Sequence, residues 1–433
     1  MYFQGSRIYS IPRLRTPGIA LKLRQKKRPK SFNLYQDACN LFPFRVNSLT
    51  KDCFGLKIIP VVISKGKGAL IWDIDGHAYI DYCCSWGSLI LGHADLSIVR
   101  GVVIQLNKGS SFGATTSMEY ELATKICCHI PSIEKLRFVS SEAEAKRDAI
   151  RLSRRYSGKE KLIKFDGPYY GHEGELVSSE EDFQDGASYV VSLPFNETEV
   201  CRKFLHAHDD IAAVILAPVV GSMGVIPADR DFIFMLREET AKKGIILIFD
   251  EVVTGFRLGL SGAQGFYGVV PDLTCLGKII GGGFPVAVFG GRKEIMDYLA
   301  TIEEEHQADT LSANPIAMKA GLIQLQKLEQ PEFYEELDKK SSFLVEAFRK
   351  MIYDRDIRGC VNQVGSMFTP FFGYHAVSKK QVLDCHTYKK LFLHLFEQGI
   401  YLSPSFSDAS FLSFSHTYDQ LEETAAALSS FRL

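Results

Sequence analysis

The chain has 433 residues, 46% of them hydrophobic and 23% charged, with a formal net charge of −1. That length allows a large core and more than one domain, and that composition is ordinary for a globular enzyme. A nearly neutral balance excludes the broad field of a nucleic-acid or membrane-surface binder, and no apolar run approaches the roughly 20 residues of a membrane-spanning helix.

MYFQGS at the start resembles a tag scar, and Arg7–Lys30 then carries nine Lys or Arg and no acidic residue. Such a basic, acid-poor arm suits either an organelle transit peptide or a flexible extension. The ten cysteines include the vicinal pairs Cys83–Cys84 and Cys127–Cys128, but no CxxC and no His ligand spacing. They are expected to be reduced, mostly buried thiols of a cytoplasmic protein, with no metal site.

From Ser31 an opening helix is expected. Gly68–Tyr82 alternates apolar and polar residues around Asp75-Gly76, the pattern of a β-hairpin. Helical spacing follows over Glu119–Cys128, and then come a strand at Leu136–Val139 and a helix at Ala145–Tyr156. That helix places Ala145, Ala149, Ile150 and Leu152 on one side. Further strands read at Leu162–Phe165 and Ile211–Leu216. Alternating strands and helices predict an α/β fold with a doubly wound, mostly parallel sheet. The helix Pro315–Leu328 leads toward a smaller C-terminal α/β domain. The expected division is an extension over 1–30, an N-terminal segment over 31–90, a large domain over 91–330 and a small domain over 331–433.

The stretch Ile245–Arg292 carries the chemistry. Ile245–Phe249 is an unbroken apolar run, suited to a parallel strand buried on both faces. It ends in Asp250 and Glu251, and ligands of open α/β sheets sit at such carboxyl ends. A second short strand at Leu273–Leu276 delivers Lys278, ahead of Gly281, Gly282 and Gly283. Singly, the Asp reads as a helix cap and the Lys as a solvated turn residue. Together they suit pyridoxal phosphate, with Lys278 as Schiff-base lysine and Asp250 as partner of the ring nitrogen.

The words FDEVVTGFR, GAQGFYGVVPDLTCLGKIIGGGFPV and TLSANPIAM resemble the class III aminotransferases of pyridoxal-phosphate fold type I. Within these, the wording is most similar to the glutamate-1-semialdehyde 2,1-aminomutases, and the resemblance covers nearly everything after residue 31. It implies a homodimer acting on a small amino aldehyde in tetrapyrrole (porphyrin) synthesis, by amino transfer within the substrate. It further implies that Tyr169 stacks on the cofactor, that Trp86 lines the pocket, and that Thr310 reaches the phosphate across the subunit boundary.

Several positions depart from the family wording. Where the family reads NSGTEA, this chain has Ser140-Ser141-Glu142-Ala143-Glu144-Ala145. Glu142 replaces a glycine, and Ala143 lacks a hydroxyl whose hydrogen bond to a charged group is worth ~1.5–3 kcal/mol. Ser141 and the helix start remain, so phosphate binding is expected to be weakened and retained. In the VNSPVR loop Ser48 is kept, and Lys51 replaces the arginine, giving charge without the bidentate fork. The EPVAGNMG segment begins here with Ala217 and carries Ser222 in place of the amide. Asp309 replaces the glycine before Thr310, and Asp408 stands for a glutamate. The family's Gly/Pro-rich gating loop after YHGH is shortened by well over ten residues and is acidic here, so a released diamine intermediate is expected to escape more easily. Two rival readings stay open: an aminotransferase or amino-acid racemase with another substrate, and a catalytically idle homologue.

Overall fold

The computed structural model describes residues 28–43, 46–47, 56, 60–168, 189–301, 309–373 and 385–433. Ile211–Leu216 and Ile246–Asp250 are buried at every residue. An unbroken apolar run has no polar face to offer water, so it must be covered on both sides. These two strands are the middle of a seven-stranded sheet. Its spatial order is Lys135–Val139, Ala287–Gly291, Leu273–Leu276, Ile246–Asp250, Ile211–Leu216, Lys161–Phe165 and Val190–Leu193.

Most neighbours are parallel: Ile248 lies opposite Leu273, Leu247 opposite Val214, and Ile163 opposite both Val214 and Val191. Ala287–Gly291 is the exception and runs antiparallel to both of its neighbours. The sequence reading names no strand there. Gly291 is required by close packing: a side chain on it would begin 2.1 Å from the Asp272 carbonyl oxygen.

One sheet face carries the helix Glu142–Ser157, whose Ala145, Ala149, Ile150 and Leu152 pack with Ile246, Ile248, Leu273 and Phe289. The other face carries Arg230–Lys243, whose Phe232, Ile233 and Leu236 meet Leu247 and Phe249. Helices on both faces make the sheet doubly wound. The helix on the first face starts three residues before Ala145. Ser141 and Glu144 cap it reciprocally, a device that satisfies two otherwise orphaned amides. It stops at Gly158, whose φ of +67° a residue with a Cβ adopts only at a cost.

The predicted hairpin is present as Leu70–Asp73 paired antiparallel with Ala78–Asp81. Ile400–Tyr401 from the far end of the chain adds in parallel to Ala78–Asp81. Gly359–Val364, Met367–Phe372 and Ser410–Phe411 form a further three-stranded sheet. It is accompanied by the helices Phe333–Asp354, Cys385–Glu397 and Tyr418–Ser430. Among the described residues no helix is long and apolar enough to cross a membrane.

Candidate active site

The strand Ile246–Asp250 leaves the core at Asp250, which lies opposite Cys275 on the next strand. Two residues past the end of that neighbouring strand comes Lys278, so parallel pairing brings the Asp and the Lys to the same carboxyl end of the sheet. Lys278 has φ of +47°, a conformation costly for a side-chain-bearing residue and common at functional sites. Its Nζ donates to the backbone carbonyl of Trp86 at 2.8 Å. Burial pushes the Lys278 ammonium below the ordinary lysine value, and the Glu142 carboxylate acts in the opposite direction.

Trp86 arrives on a stretch in which Cys84, Ser85, Trp86 and Gly87 all have positive φ. Three of these four carry side chains, so the conformation needs outside support, roughly 1–3 kcal/mol per residue. Asp81 supplies part of it, accepting from the Cys83 and Cys84 amides at 2.8 and 3.2 Å and lying 2.7 Å from His93 Nε2. Arg257 supplies another part. Its buried guanidinium donates to the Gly87 carbonyl and to Ser366 Oγ, and lies over the Phe411 ring at 5.0 Å. Burial lowers the Arg257 pKa to about 10.

Asp250 Oδ1 accepts from the Val252 amide at 3.2 Å. Its other oxygen, Oδ2, lies 3.4 Å from the ammonium of Lys146, and the two side chains are only 7% and 5% exposed. Burial opposes charge on Lys146, yet Asp250 and Glu142 together hold its pKa above the ordinary lysine value. Glu251 is not part of this cluster. It is fully buried and accepts from the Ala263 amide, Thr254 Oγ1 and Gln264 Nε2, which fixes the following turn.

At the start of helix Glu142–Ser157, the Ser140 and Ser141 amides both donate to Glu144 Oε2, at 2.9 and 3.1 Å. Ser141 Oγ accepts from the Glu144 amide at 3.2 Å, leaving its own O–H free to donate. The Glu142 and Ala143 N–H groups belong to the first helical turn, which has no intrahelical acceptors. Glu142 does not turn outward: a Cβ on Gly277 would lie 2.7 Å from its Cγ and 3.3 Å from Oε1. Ser140 Oγ donates to Asp309 Oδ2, which holds the Asp309 carboxyl below its usual range. The neighbouring Thr310 is exposed.

Ser222 lies in the short turn Gly221–Met223, where the Gly221 carbonyl accepts from the Ala409 amide at 2.9 Å. That bond brings Asp408 to the same rim. Burial pushes the Asp408 carboxyl up, while Ser405 and the charge of Lys278 pull it down. Ser48, Lys51, Tyr169 and the shortened acidic segment after it lie outside the described residues.

The structure therefore gathers Lys278, Asp250, Ser141, Glu142, Ala143, Trp86, Ser222 and Asp408 around the carboxyl ends of the central strands, with Thr310 exposed beside Asp309. Lys146 is the residue the sequence reading missed. Its only signal is position: a lysine one residue from Ala145 and four from Ile150, on the side of the helix that faces the sheet. As a donor set the cluster fits pyridoxal phosphate, since it has a buried amine, a strand-end carboxylate and open helix-start amides. It also holds the Lys146 ammonium against Asp250 and the Glu142 side chain against Gly277.

The aminotransferase class-III family profile matches residues 55–425. A glutamate-1-semialdehyde 2,1-aminomutase from Protochlamydia amoebophila is 45% identical, covering 93% of this chain and 98% of its own length. Another from Persephonella marina is 43% identical, over 92% of this chain and 97% of its own. Among solved structures, an omega-transaminase from Sphaerobacter thermophilus matches with a TM-score of 0.86 and 30% identity, over 93% of this chain and 96% of its own. A glutamate-1-semialdehyde aminomutase from Pseudomonas aeruginosa PAO1 matches in fold with a TM-score of 0.84 at 22% identity, over 94% and 95% of the two chains. On a match of this extent, the chain belongs to the class-III aminotransferase family.

Proposed function

We propose that this protein is a pyridoxal-phosphate-dependent aminomutase that converts glutamate-1-semialdehyde to 5-aminolevulinate, working as a homodimer. The reaction is an isomerisation: an amino group and a carbonyl oxygen exchange neighbouring carbons, and no external donor is consumed. The observation that carries the reading is the placement of Lys278 and Asp250 on adjacent strand ends, in a chain 40–45% identical to enzymes bearing that name.

Pyridoxal phosphate, when bound, supplies the electron-withdrawing ring and the amino-carrying position that this exchange needs. The protein supplies placement and protons. Lys278, held low in pKa by burial, is suited to hold the group covalently and to carry a proton between the reacting carbons. Asp250 is assigned to the ring nitrogen, and Ser141 with the Glu142 and Ala143 amides to the phosphate at the helix start. Tyr169 and Ser222 are assigned to the cofactor, and Ser48, Lys51, Trp86 and Asp408 to the substrate.

A second copy of the chain is needed for Thr310 to serve a phosphate from across a boundary. The helix Leu96–Leu106 buries Ile98, Gly101 and Val102 inward, with Gly101 against Ile323. Its other side leaves Leu96, Val99, Val103, Ile104 and Leu106 exposed. Exposed apolar residues gathered on one helix suit a contact with another protein surface.

An aminotransferase with an external donor is the second reading, favoured by the 30% identity to the omega-transaminase and by Asp408 in place of the family's glutamate. Incubation with glutamate-1-semialdehyde separates the two. The proposal expects 5-aminolevulinate from the wild type and none from Lys278→Ala. A folded, cofactor-loaded wild type that makes no product, but consumes an amino acid together with a keto acid, overturns it.

A further inference from the structure

Arg257 is 1% exposed, and the oxygens that hold its guanidinium carry no charge. It donates to Ser366 Oγ at 2.9 Å, to the Leu412 carbonyl at 3.5 Å and to the Gly87 carbonyl, and its Nε has no partner among the described residues. No carboxylate pairs with it among those residues. The groups that act on its charge are the Cys84 thiol and the Tyr334 hydroxyl, and burial raises the pKa of both, so both stay neutral. Buried charges are ordinarily paired. An unpaired one acts on its neighbours through a medium that screens poorly.

The neighbour that matters is Lys278. Arg257 grips the Gly87 carbonyl, and Lys278 Nζ donates to the carbonyl of Trp86, the residue before it. Successive Cα atoms lie about 3.8 Å apart, so one short loop holds the guanidinium and the amine close together. Two cations so placed disfavour one another, and the amine is the one that gives up its proton.

We propose that Arg257 is a positioning residue whose unpaired charge, held on the carbonyl next to the one that binds Lys278, keeps that amine in its neutral, nucleophilic form. Other groups face the amine from the surrounding elements. Burial is the largest influence and lowers the Lys278 pKa; Glu142 at the helix start and Cys83 on the loop raise it, while Arg257 and Lys146 lower it. Asp408 on the far turn also meets the Lys278 charge. Lys146 is paired with Asp250, and Glu142 is divided between Lys146 and Lys278. Arg257 alone acts undivided. Burial lowers its own pKa only to about 10, so it stays charged at neutral pH.

The inference rests on Lys278 being the amine that captures an aldehyde, as read above, and its test separates the two. The full-length protein is treated with pyridoxal over a range of pH, capture is fixed with borohydride, and the modified lysines are located and counted by mass spectrometry. Wild type, Arg257→Lys and Arg257→Met are compared, each with its urea midpoint. Both variants lose the planar fork and with it stability, but only Arg257→Met loses the charge. The capture midpoint at Lys278 is expected to rise in Arg257→Met and to stay near wild type in Arg257→Lys, although both are destabilised. A midpoint that moves equally in both variants, or in neither, overturns the inference, since it then follows the shape of the loop and not the charge. Should Arg257→Met fail to fold, Ser366→Asp sets a carboxylate against the guanidinium and is expected to raise the midpoint in the same direction; an unchanged midpoint there overturns the inference. Capture at other lysines with Lys278 unmodified in the wild type removes the reading of Lys278 and this inference with it. Capture at Lys278 that ignores the charge at position 257 removes the inference alone.

Discussion

Lys278 Nζ donates to the main-chain carbonyl of Trp86 across 2.8 Å, tying the amine at the strand end to a loop that precedes it by 192 residues. The loop holds a backbone shape that it would not keep alone, since Cys84, Ser85 and Trp86 all have positive φ. The position of the amine therefore depends on whatever holds the loop.

Arg257 is the outside support on the C-terminal side of that loop. Replacing it with Met leaves the buried Gly87 carbonyl and Ser366 hydroxyl without their donor. Each such loss costs about 1–3 kcal/mol. Arg257→Met is expected to lower the urea midpoint with an unchanged slope. Arg257→Lys should recover little of it, because an ammonium cannot reproduce the planar fork. A midpoint within error of wild type would show that the loop is held by other contacts.

The pH dependence of Lys278 follows from its two main influences. Burial lowers its pKa and Glu142 raises it. Covalent capture of an aldehyde needs the neutral amine, so its pH midpoint should fall below that of an ordinary lysine. Removing the Glu142 charge takes away the raising influence, so Glu142→Gln should move the midpoint lower still. Pyridoxal is the suitable probe because it has no phosphate for Glu142 to repel. Capture is fixed by borohydride reduction and counted by mass spectrometry. An upward or absent shift in Glu142→Gln would contradict the placement of that carboxylate beside the amine.

The exposed apolar stripe of Leu96–Leu106 predicts a second effect at a distance. Val103→Asp together with Ile104→Glu should leave the fold intact, since both residues are 51% and 57% exposed in the single chain. Sedimentation should show monomer in place of dimer, and activity should fall with it. A double variant that stays dimeric would place the interface elsewhere.

Much of the fold was legible because burial leaves a pattern. The all-apolar runs at Ile211–Leu216 and Ile246–Phe249 read as covered strands and are buried throughout, whereas the helix begins at Glu142, three residues before the expected Ala145, because Ser141 and Glu144 cap it. The strand Ala287–Gly291 was not legible, because Gly290 and Gly291 answer to the close approach of Lys135 and Asp272 and not to any local preference. Lys278 and Asp250 stood out as chemistry at strand ends. Lys146 did not: a lysine on a helix reads as solvated unless the carboxylate that buries with it is known, and Asp250 is 104 residues away. Glu142 was legible as an anion beside a phosphate site, but its inward direction depends on the bare backbone of Gly277.

The most direct test of the account is turnover without a donor. The dimer is loaded with the amine form of the cofactor, given glutamate-1-semialdehyde alone, and 5-aminolevulinate is counted per active site. The account predicts many products per site, all lost in Lys278→Ala, with a rate that fades as the diamine is lost and recovers when 4,5-diaminovalerate is added. At most one product per site, unchanged by added diamine, would contradict amino transfer within the substrate.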